Sequence, residues 1–125
     1  MILPCLFIAD AGEMGRGVFT SEPLKKDQVI EVAPVIVMGS KDRLLLDQTL
    51  LHDYIFEWGT NQCCMALGYV PVYNHSYASN CGYEMDYEFD TITVRTMREI
   101  AAGEELFINY NGEWNDEKPL WFDAK

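Results

Sequence analysis

Residues 71–83 run Pro71-Val72-Tyr73-Asn74-His75-Ser76-Tyr77-Ala78-Ser79-Asn80-Cys81-Gly82-Tyr83 and concentrate polar side chains in an apolar neighbourhood. They follow the apolar run 63–70, which is typical of a protein core, and they precede segments that are rich in tyrosine. Buried polar groups require hydrogen-bond partners. These side chains therefore either satisfy one another or bind a ligand, and we take the stretch as the centre of the fold.

Length and charge limit the classes of protein that this chain can be. Its 125 residues suffice for one compact domain, predicted to span 1–125, that buries a core without disulfides or metals. Nine Lys and Arg against 20 Asp and Glu give a net charge of -11. This charge argues against direct binding to nucleic acid or an anionic membrane, and it favours a basic partner. The alternative is that the acidity only keeps the protein soluble.

The four cysteines Cys5, Cys63, Cys64 and Cys81 include a vicinal pair and lack a C-x-x-C spacing. This pattern predicts free thiols and no metal site. The apolar segment 1–9 lacks a basic region and is too short for a signal peptide or a membrane span, so we expect a cytoplasmic protein, nuclear in a eukaryote, and not a secreted one. Asn74-His75-Ser76 matches a glycosylation sequon, which that location disfavours.

Short β-branched and apolar segments separated by glycines and turns predict a mainly β fold. Residues 41–53 carry leucines at helical spacing and form the best helix candidate, with Ser40 as its cap. Residues 63–67 fit a short strand or a helical turn equally well. The other predicted strands are 3–9, 18–20, 28–38 as one or two strands around Pro34, 54–58, a hairpin of 82–89 with 91–97, and 105–109.

Three features could carry chemistry. The loop Gly15-Arg16-Gly17 allows a ligand to approach the backbone closely, but it lacks the third glycine of a dinucleotide motif, and a plain turn is the alternative. His75 could be a general base and Cys81 a nucleophile, but no partner stands at a recognisable spacing, which favours a hydrogen-bonded core histidine and an inert thiol. Five tyrosines are expected around the polar stretch, as core or rim aromatics with a hydroxyl partner: Tyr73, Tyr77, Tyr83, Tyr87 and Tyr110.

Taken in order, three blocks closely resemble the SET-domain protein lysine methyltransferases in a minimal, stand-alone form. They match the family's G-x-G loop, its N-H-S-x-x-x-N motif and its E-L-x-x-x-Y motif. The resemblance implies a β-clip-like SET fold of small sheets with one short helical insert and a C-terminal pseudoknot. The blocks are Gly15-Arg16-Gly17-Val18-Phe19, then Asn74-His75-Ser76 with Asn80-Cys81-Gly82-Tyr83, then Gly103-Glu104-Glu105-Leu106-Phe107-Ile108-Asn109-Tyr110.

The resemblance also implies an activity, which is methyl transfer from S-adenosylmethionine to the side-chain amine of a lysine. The expected substrate is a basic protein or tail, either histone-like or ribosomal, and a homodimer is compatible with this function. One alternative is a catalytically silent SET-like module that binds a basic peptide. Another is a β-rich interaction domain without a donor pocket.

Residue roles follow from the same resemblance. Tyr110 and Tyr83 match channel tyrosines and are the expected catalytic residues. The tail 111–125 is expected to close the substrate channel, because the cysteine-rich flanks of many relatives are missing. The expected donor-binding residues are Met14, Gly15, Arg16, Gly17, Asn74, His75 and Tyr110, and the substrate-channel candidates are Tyr54, Trp114, Trp121 and Phe122.

Overall fold

In the computed structural model of the chain, residues 1–110 are described, and strands account for most of the regular structure. The predicted mainly β class is confirmed. The expected channel-closing tail, with Trp114, Trp121 and Phe122, lies outside the described residues. The strands in chain order are β1 (Leu6–Asp10), β2 (Arg16–Thr20), β3 (Val29–Met38), β4 (Phe56–Trp58), β5 (Gln62–Ala66), β6 (Asn74–His75), β7 (Cys81–Asp86), β8 (Thr91–Thr96) and β9 (Glu105–Ile108).

The described strands form two sheets. The first has the order β1-β2-β9-β6 and the second the order β4-β5-β3-β8-β7. Neighbouring strands pair antiparallel except for β6 and β9, which pair in parallel. Parallel neighbours need a long connection between them. Strand β9, near the end of the described residues, therefore lies beside β6 in the polar stretch 71–83.

The core lies where the two sheets supply alternating apolar side chains. In β8, Ile92, Val94 and Thr96 are buried, and the residues between them are half-buried. Strand β9 shows the same alternation, with Leu106 and Ile108 buried. This period of two is the expected pattern for a strand with one face on the core.

The helical region is shorter than predicted. Helix α1 spans Ser40–Leu46, and a separate 3-10 turn covers Leu50–Asp53, so the prediction of one helix over 41–53 is wrong. Thr49 breaks the helix because its backbone is extended and its hydroxyl accepts the N–H of Leu51 at 3.2 Å. Ser40 is not the cap, since Gly39 occupies the N-cap and no side chain caps the first turn.

The structure resolves the open predictions for residues 28–38 and 63–67 and confirms the hairpin. Strand β3 continues through Pro34 as one strand, and residues 62–66 form a strand, β5, and not a helical turn. The predicted hairpin is confirmed as β7 and β8, where Asp86 Oδ1 accepts the N–H groups of Glu88 and Phe89, each at 3.0 Å. No described helix is long and apolar enough to cross a membrane.

Asn80 joins the polar stretch to β9 through its side chain. Its Nδ2 donates to the carbonyl of Glu105 at 2.9 Å, and its Oδ1 accepts the N–H of Phe107 at 2.8 Å. The side chain is 2% exposed. One amide side chain thus pairs with β9 as a neighbouring strand would, and it fixes the crossing of the two segments.

We expect Asn80→Ala to lower the free energy of unfolding by roughly 2–4 kcal/mol, because two partly buried backbone groups of β9 lose their partners. Urea unfolding followed by tryptophan fluorescence measures the change. Gln48→Ala, which removes an exposed amide, should stay within about 0.5 kcal/mol. A loss of less than about 1 kcal/mol in Asn80→Ala would show that the side chain does not hold the crossing.

Candidate active site

The parallel pair of β6 and β9 brings the predicted motifs together. Asn74 lies opposite Phe107, and His75 lies opposite Ile108. Strand β2, which carries the glycine loop, pairs with the other edge of β9. The backbone N–H of Ser76 extends the pairing by donating to the carbonyl of Ile108 at 3.1 Å. The glycine loop, the Asn74 segment and Tyr110 therefore meet at one end of the first sheet.

Asn74 links the glycine loop to an acidic side chain. Its Nδ2 donates to the carbonyl of Arg16 at 3.0 Å and to Glu105 Oε2 at 2.8 Å. Gly17 is buried directly beneath, and a Cβ there would lie 2.9 Å from Asn74 Nδ2 and closer still to the Glu105 carboxylate. Gly17 is thus required for packing. Glu105 was not among the predicted site residues, although its place in the E-L-x-x-x-Y motif was a usable signal.

The rest of the glycine loop is open. Gly12 and Gly15 have φ values of 73° and 77°, a backbone conformation that favours glycine. A Cβ added at Gly15 would meet nothing within 4 Å. Arg16 is exposed, and Met14 is half-buried beside it. The loop surface at Gly15 is consequently open to a ligand, although the Gly15 N–H donates to the Gly12 carbonyl at 3.1 Å and the Gly15 carbonyl accepts the N–H of Ala11 at 2.7 Å.

His75 supports the chain and is not arranged as a base. Its Nδ1 accepts the backbone N–H of Tyr110 at 3.0 Å, so the neutral ring carries its proton on Nε2. Burial lowers the pKa of His75 and favours that neutral form. Within residues 1–110, Nε2 is buried without a hydrogen-bond partner. The basic nitrogen, Nδ1, is therefore already occupied by the backbone N–H of Tyr110.

Tyr110 presents a hydroxyl that stays protonated. It donates to the carbonyl oxygen of Tyr73 at 2.6 Å. Burial raises the pKa of the Tyr110 hydroxyl to about 12, and nearby Tyr54 and Glu105 act in the same direction. Tyr110 therefore serves as a hydrogen-bonding and electrostatic group in the working pH range and not as a proton acceptor.

The tyrosine wall is the aromatic cluster formed by Tyr110, Tyr83, Phe56 and Tyr54. The Tyr83 hydroxyl donates to the carbonyl of Tyr110 over 3.4 Å, and burial raises the pKa of Tyr83. The ring of Phe56 lies edge-on to both, with centroids 5.5 Å from Tyr83 and 6.4 Å from Tyr110. Tyr54 lies close by and is 36% exposed. Sequence reasoning missed Phe56, because nothing in its short strand distinguishes it from a core residue.

The remaining tyrosines and Cys81 are placed differently. Tyr73 is fully buried, Tyr77 packs against the His75 ring at 4.4 Å, and exposed Tyr87 packs on Trp58 at 4.7 Å. Tyr87 lies near Tyr83, the last residue of the polar stretch, and contacts Trp58 and not the Asn74 motif. Burial raises the pKa of the Cys81 thiol to about 12, which removes it as a nucleophile.

The strand crossing brings the tyrosine wall beside an amide–carboxylate pair, and this arrangement together with the family match and relatives that follow identifies a lysine methyltransferase. The chain belongs to the SET domain family, whose pattern matches residues 15–111. The S. pombe (strain 972 / ATCC 24843) histone-lysine N-methyltransferase, H3 lysine-37 specific, is 33% identical over 119 residues, which cover 94% of this chain and 77% of that protein. Histone-lysine N-methyltransferase SETD7 of Halocynthia roretzi is 32% identical over 77 residues, or 53% of this chain and 19% of that protein.

Solved structures agree with this family. A candidate histone methyltransferase of Plasmodium falciparum superimposes with a TM-score of 0.66 at 27% identity, over 90% of this chain and 98% of that one. A chain of the ctPRC2 complex gives a TM-score of 0.74 at 16% identity, over 86% of this chain and 14% of that one, and supports the fold alone.

The buried neutral His75 predicts a loss of stability in mild acid. Its pKa lies below the ordinary 6.5, so the unfolded chain binds a proton before the folded chain does. The stability from neutral His75 is fully present above pH 6.5 and falls as the pH drops toward the lowered pKa. Urea unfolding at about pH 7.5 and about pH 5.5 measures the loss.

Two variants test the assignment to His75. His75→Gln should show a smaller loss between the two pH values than the wild type. Gln62→Ala, which removes an exposed amide that does not titrate, should keep the full loss. Equal pH dependence in wild type and His75→Gln would contradict the assignment.

Proposed function

We propose that this lysine methyltransferase uses S-adenosylmethionine as methyl donor and methylates lysines in basic, histone-like proteins. The observation that carries the proposal is the contact between Gly17, Asn74 and Glu105. It lies at the β6–β9 pair, and Tyr110 follows directly after β9. A donor-binding corner and a tyrosine-lined wall are thereby adjacent, as a transfer between two substrates requires.

The glycine-loop corner is the place where the loop 14–17 meets Asn74 and Glu105. Its polar groups fit the methionine portion of the donor. Asn74 uses its Nδ2 on Arg16 and Glu105, and no described residue donates to its Oδ1. That oxygen suits an ammonium group, and the neighbouring Glu105 carboxylate adds favourable charge. The open surface of the loop at Gly15 leaves room for the donor to lie against the chain, which supports roles for Met14, Gly15 and Arg16.

S-adenosylmethionine supplies a methyl group on a positively charged sulfur. In the transfer, the lysine nitrogen forms a bond to the methyl carbon, the sulfur–carbon pair remains on sulfur, and the amine proton leaves to solvent.

The tyrosine wall would act on the lysine. A free lysine side chain has a pKa near 10.4, whereas the attacking amine must be neutral. Burial among Phe56, Tyr83 and Tyr110 beside a cationic donor would lower that pKa. The Tyr83 and Tyr110 hydroxyls stay protonated and could align the amine without accepting its proton. Tyr54, at the exposed side, is a candidate for the channel entrance.

The substrate class rests on charge and on relatives. The net charge of -11 favours a basic partner, and the S. pombe relative is named for a lysine of histone H3. Histone-like proteins are therefore the first substrates to test, with ribosomal proteins next. A silent SET-like module that binds a basic peptide is the competing function, and it predicts donor binding without transfer.

Replacing Tyr110 and Tyr83 in turn by phenylalanine, which removes only the hydroxyl, tests the tyrosine wall. Tyr110→Phe should lower kcat roughly 100-fold or more, because a hydroxyl aligned on the reacting groups is lost. Tyr83→Phe should keep most of the rate and raise the degree of methylation, because it frees space in the channel for an added methyl group. Labelled S-adenosylmethionine with recombinant histones gives the rate, and mass spectrometry gives the number of methyl groups.

Equal transfer by wild type and Tyr110→Phe would remove the proposed role of Tyr110. An unchanged product distribution in Tyr83→Phe would remove that of Tyr83. Donor binding without transfer to any basic protein would favour the silent module.

Donor binding is tested separately with Asn74→Ala. Loss of a hydrogen bond to a charged group costs about 1.5–3 kcal/mol, so the affinity for S-adenosylmethionine should fall roughly 10- to 100-fold. Isothermal titration calorimetry measures it without any protein substrate. Gln62→Ala, which removes an exposed amide on β5, is the matched control and should bind as the wild type does. An unchanged affinity in Asn74→Ala would place the donor elsewhere.

A further inference from the structure

Glu31 is a carboxylate in the middle of the core. It lies in β3 and is 0% exposed. Its Oε2 accepts the backbone N–H of Tyr69 at 2.7 Å, and its Oε1 accepts the hydroxyl hydrogen of Tyr73 at 3.0 Å. Isolation of a charge from water is costly, and burial raises the pKa of Glu31, while these two donors offset part of the cost.

The chain before the Asn74 motif is folded around this carboxylate. Gly68 has a φ of 90°, and a Cβ there would lie 2.5 Å from Glu31 Oε2, so only glycine fits. A 3-10 turn then covers Val70–Val72 and ends at Tyr73. Glu31 thus holds both ends of the turn that leads into β6, through the N–H of Tyr69 and the hydroxyl of Tyr73.

Tyr73 joins this anchor to the reacting side of the site. Its hydroxyl donates to Glu31, and its own backbone carbonyl accepts the Tyr110 hydroxyl at 2.6 Å. The Tyr73 side chain is fully buried, which prevents it from swinging away. A shift of the Tyr73 ring would move its carbonyl, and the Tyr110 hydroxyl would turn with it.

We propose that Glu31 is a positioning residue for Tyr110, acting through the hydroxyl and carbonyl of Tyr73. The inference rests on the proposed function of Tyr110 and adds the group that aims its hydroxyl. It also explains why a costly buried carboxylate stands where an apolar residue would pack, since an apolar residue could not accept the N–H of Tyr69 and the hydroxyl of Tyr73.

The first measurement needs no substrate. In protein labelled with 13C at the tyrosine Cζ, the Tyr110 resonance is assigned by its loss in Tyr110→Phe. We expect Glu31→Gln and Tyr73→Phe to shift that resonance, because the hydrogen bond of the Tyr110 hydroxyl changes. Glu99→Gln makes the same carboxylate-to-amide change at an exposed site and should leave it in place. An unshifted Tyr110 resonance in both folded core variants would overturn the proposal.

The second measurement is turnover in single and double variants. With labelled S-adenosylmethionine and recombinant histone H3, Glu31→Gln and Tyr73→Phe should each lower kcat roughly tenfold with little change in KM. In the Tyr110→Phe background the same changes should have no further effect on kcat, because the group that they position is gone. Thermal unfolding records their structural cost, which should persist in both backgrounds.

The outcomes distinguish a failure of the proposed role of Tyr110 from a failure of its positioning by Glu31. Full turnover by Tyr110→Phe would refute the proposed role of Tyr110 itself. A large loss in Tyr110→Phe, combined with equal further losses from Glu31→Gln in both backgrounds, would leave that role intact and refute the positioning by Glu31.

Discussion

The structure depends on the crossing of the Asn74–Asn80 segment with β9. Strand β6 has two residues and cannot hold its place by backbone pairing alone. Asn80 supplies the missing pairing with a side-chain amide, and the N–H of Ser76 extends it along β9. Asn74, His75 and Tyr110 meet only because this crossing is fixed. Since buried polar groups must be paired, the crossing has little freedom to adopt another register.

Charge is separated within the site. The glycine-loop corner contains the carboxylate of Glu105 and the amide of Asn74, whereas the tyrosine wall is kept neutral by burial. His75, between the two, is also held neutral. Under the proposed reaction, the cationic donor would lie at the acidic side and the uncharged amine at the neutral side. The arrangement requires no strong base among the described residues, because the low polarity of the wall favours loss of the lysine proton.

Local patterns predicted seven of the described strands, the hairpin and the motifs, because strand alternation and turn residues act over a few positions; they left β5 open and missed the two-residue β6. The end of α1 was not predictable in this way. Thr49 is acceptable within a helical pattern, but here its backbone is extended and its hydroxyl bonds locally to the Leu46 carbonyl and the Leu51 N–H. Phe56 and Glu31 were missed for another reason. Their roles arise from partners far along the chain, Tyr83 and Tyr73, and no local signal encodes such pairings.

The position of β9 in the first sheet has a consequence for how the protein is made. This last described strand lies between β2 and β6, so during synthesis the sheet lacks an interior member until almost all of residues 1–110 have emerged. Until then β2 has an unpaired edge, which can pair with other chains. Contacts between distant segments also form slowly. The site around Asn74 and Tyr110 should therefore assemble in one late step of folding, and shortened chains that end before β9 should be prone to aggregate.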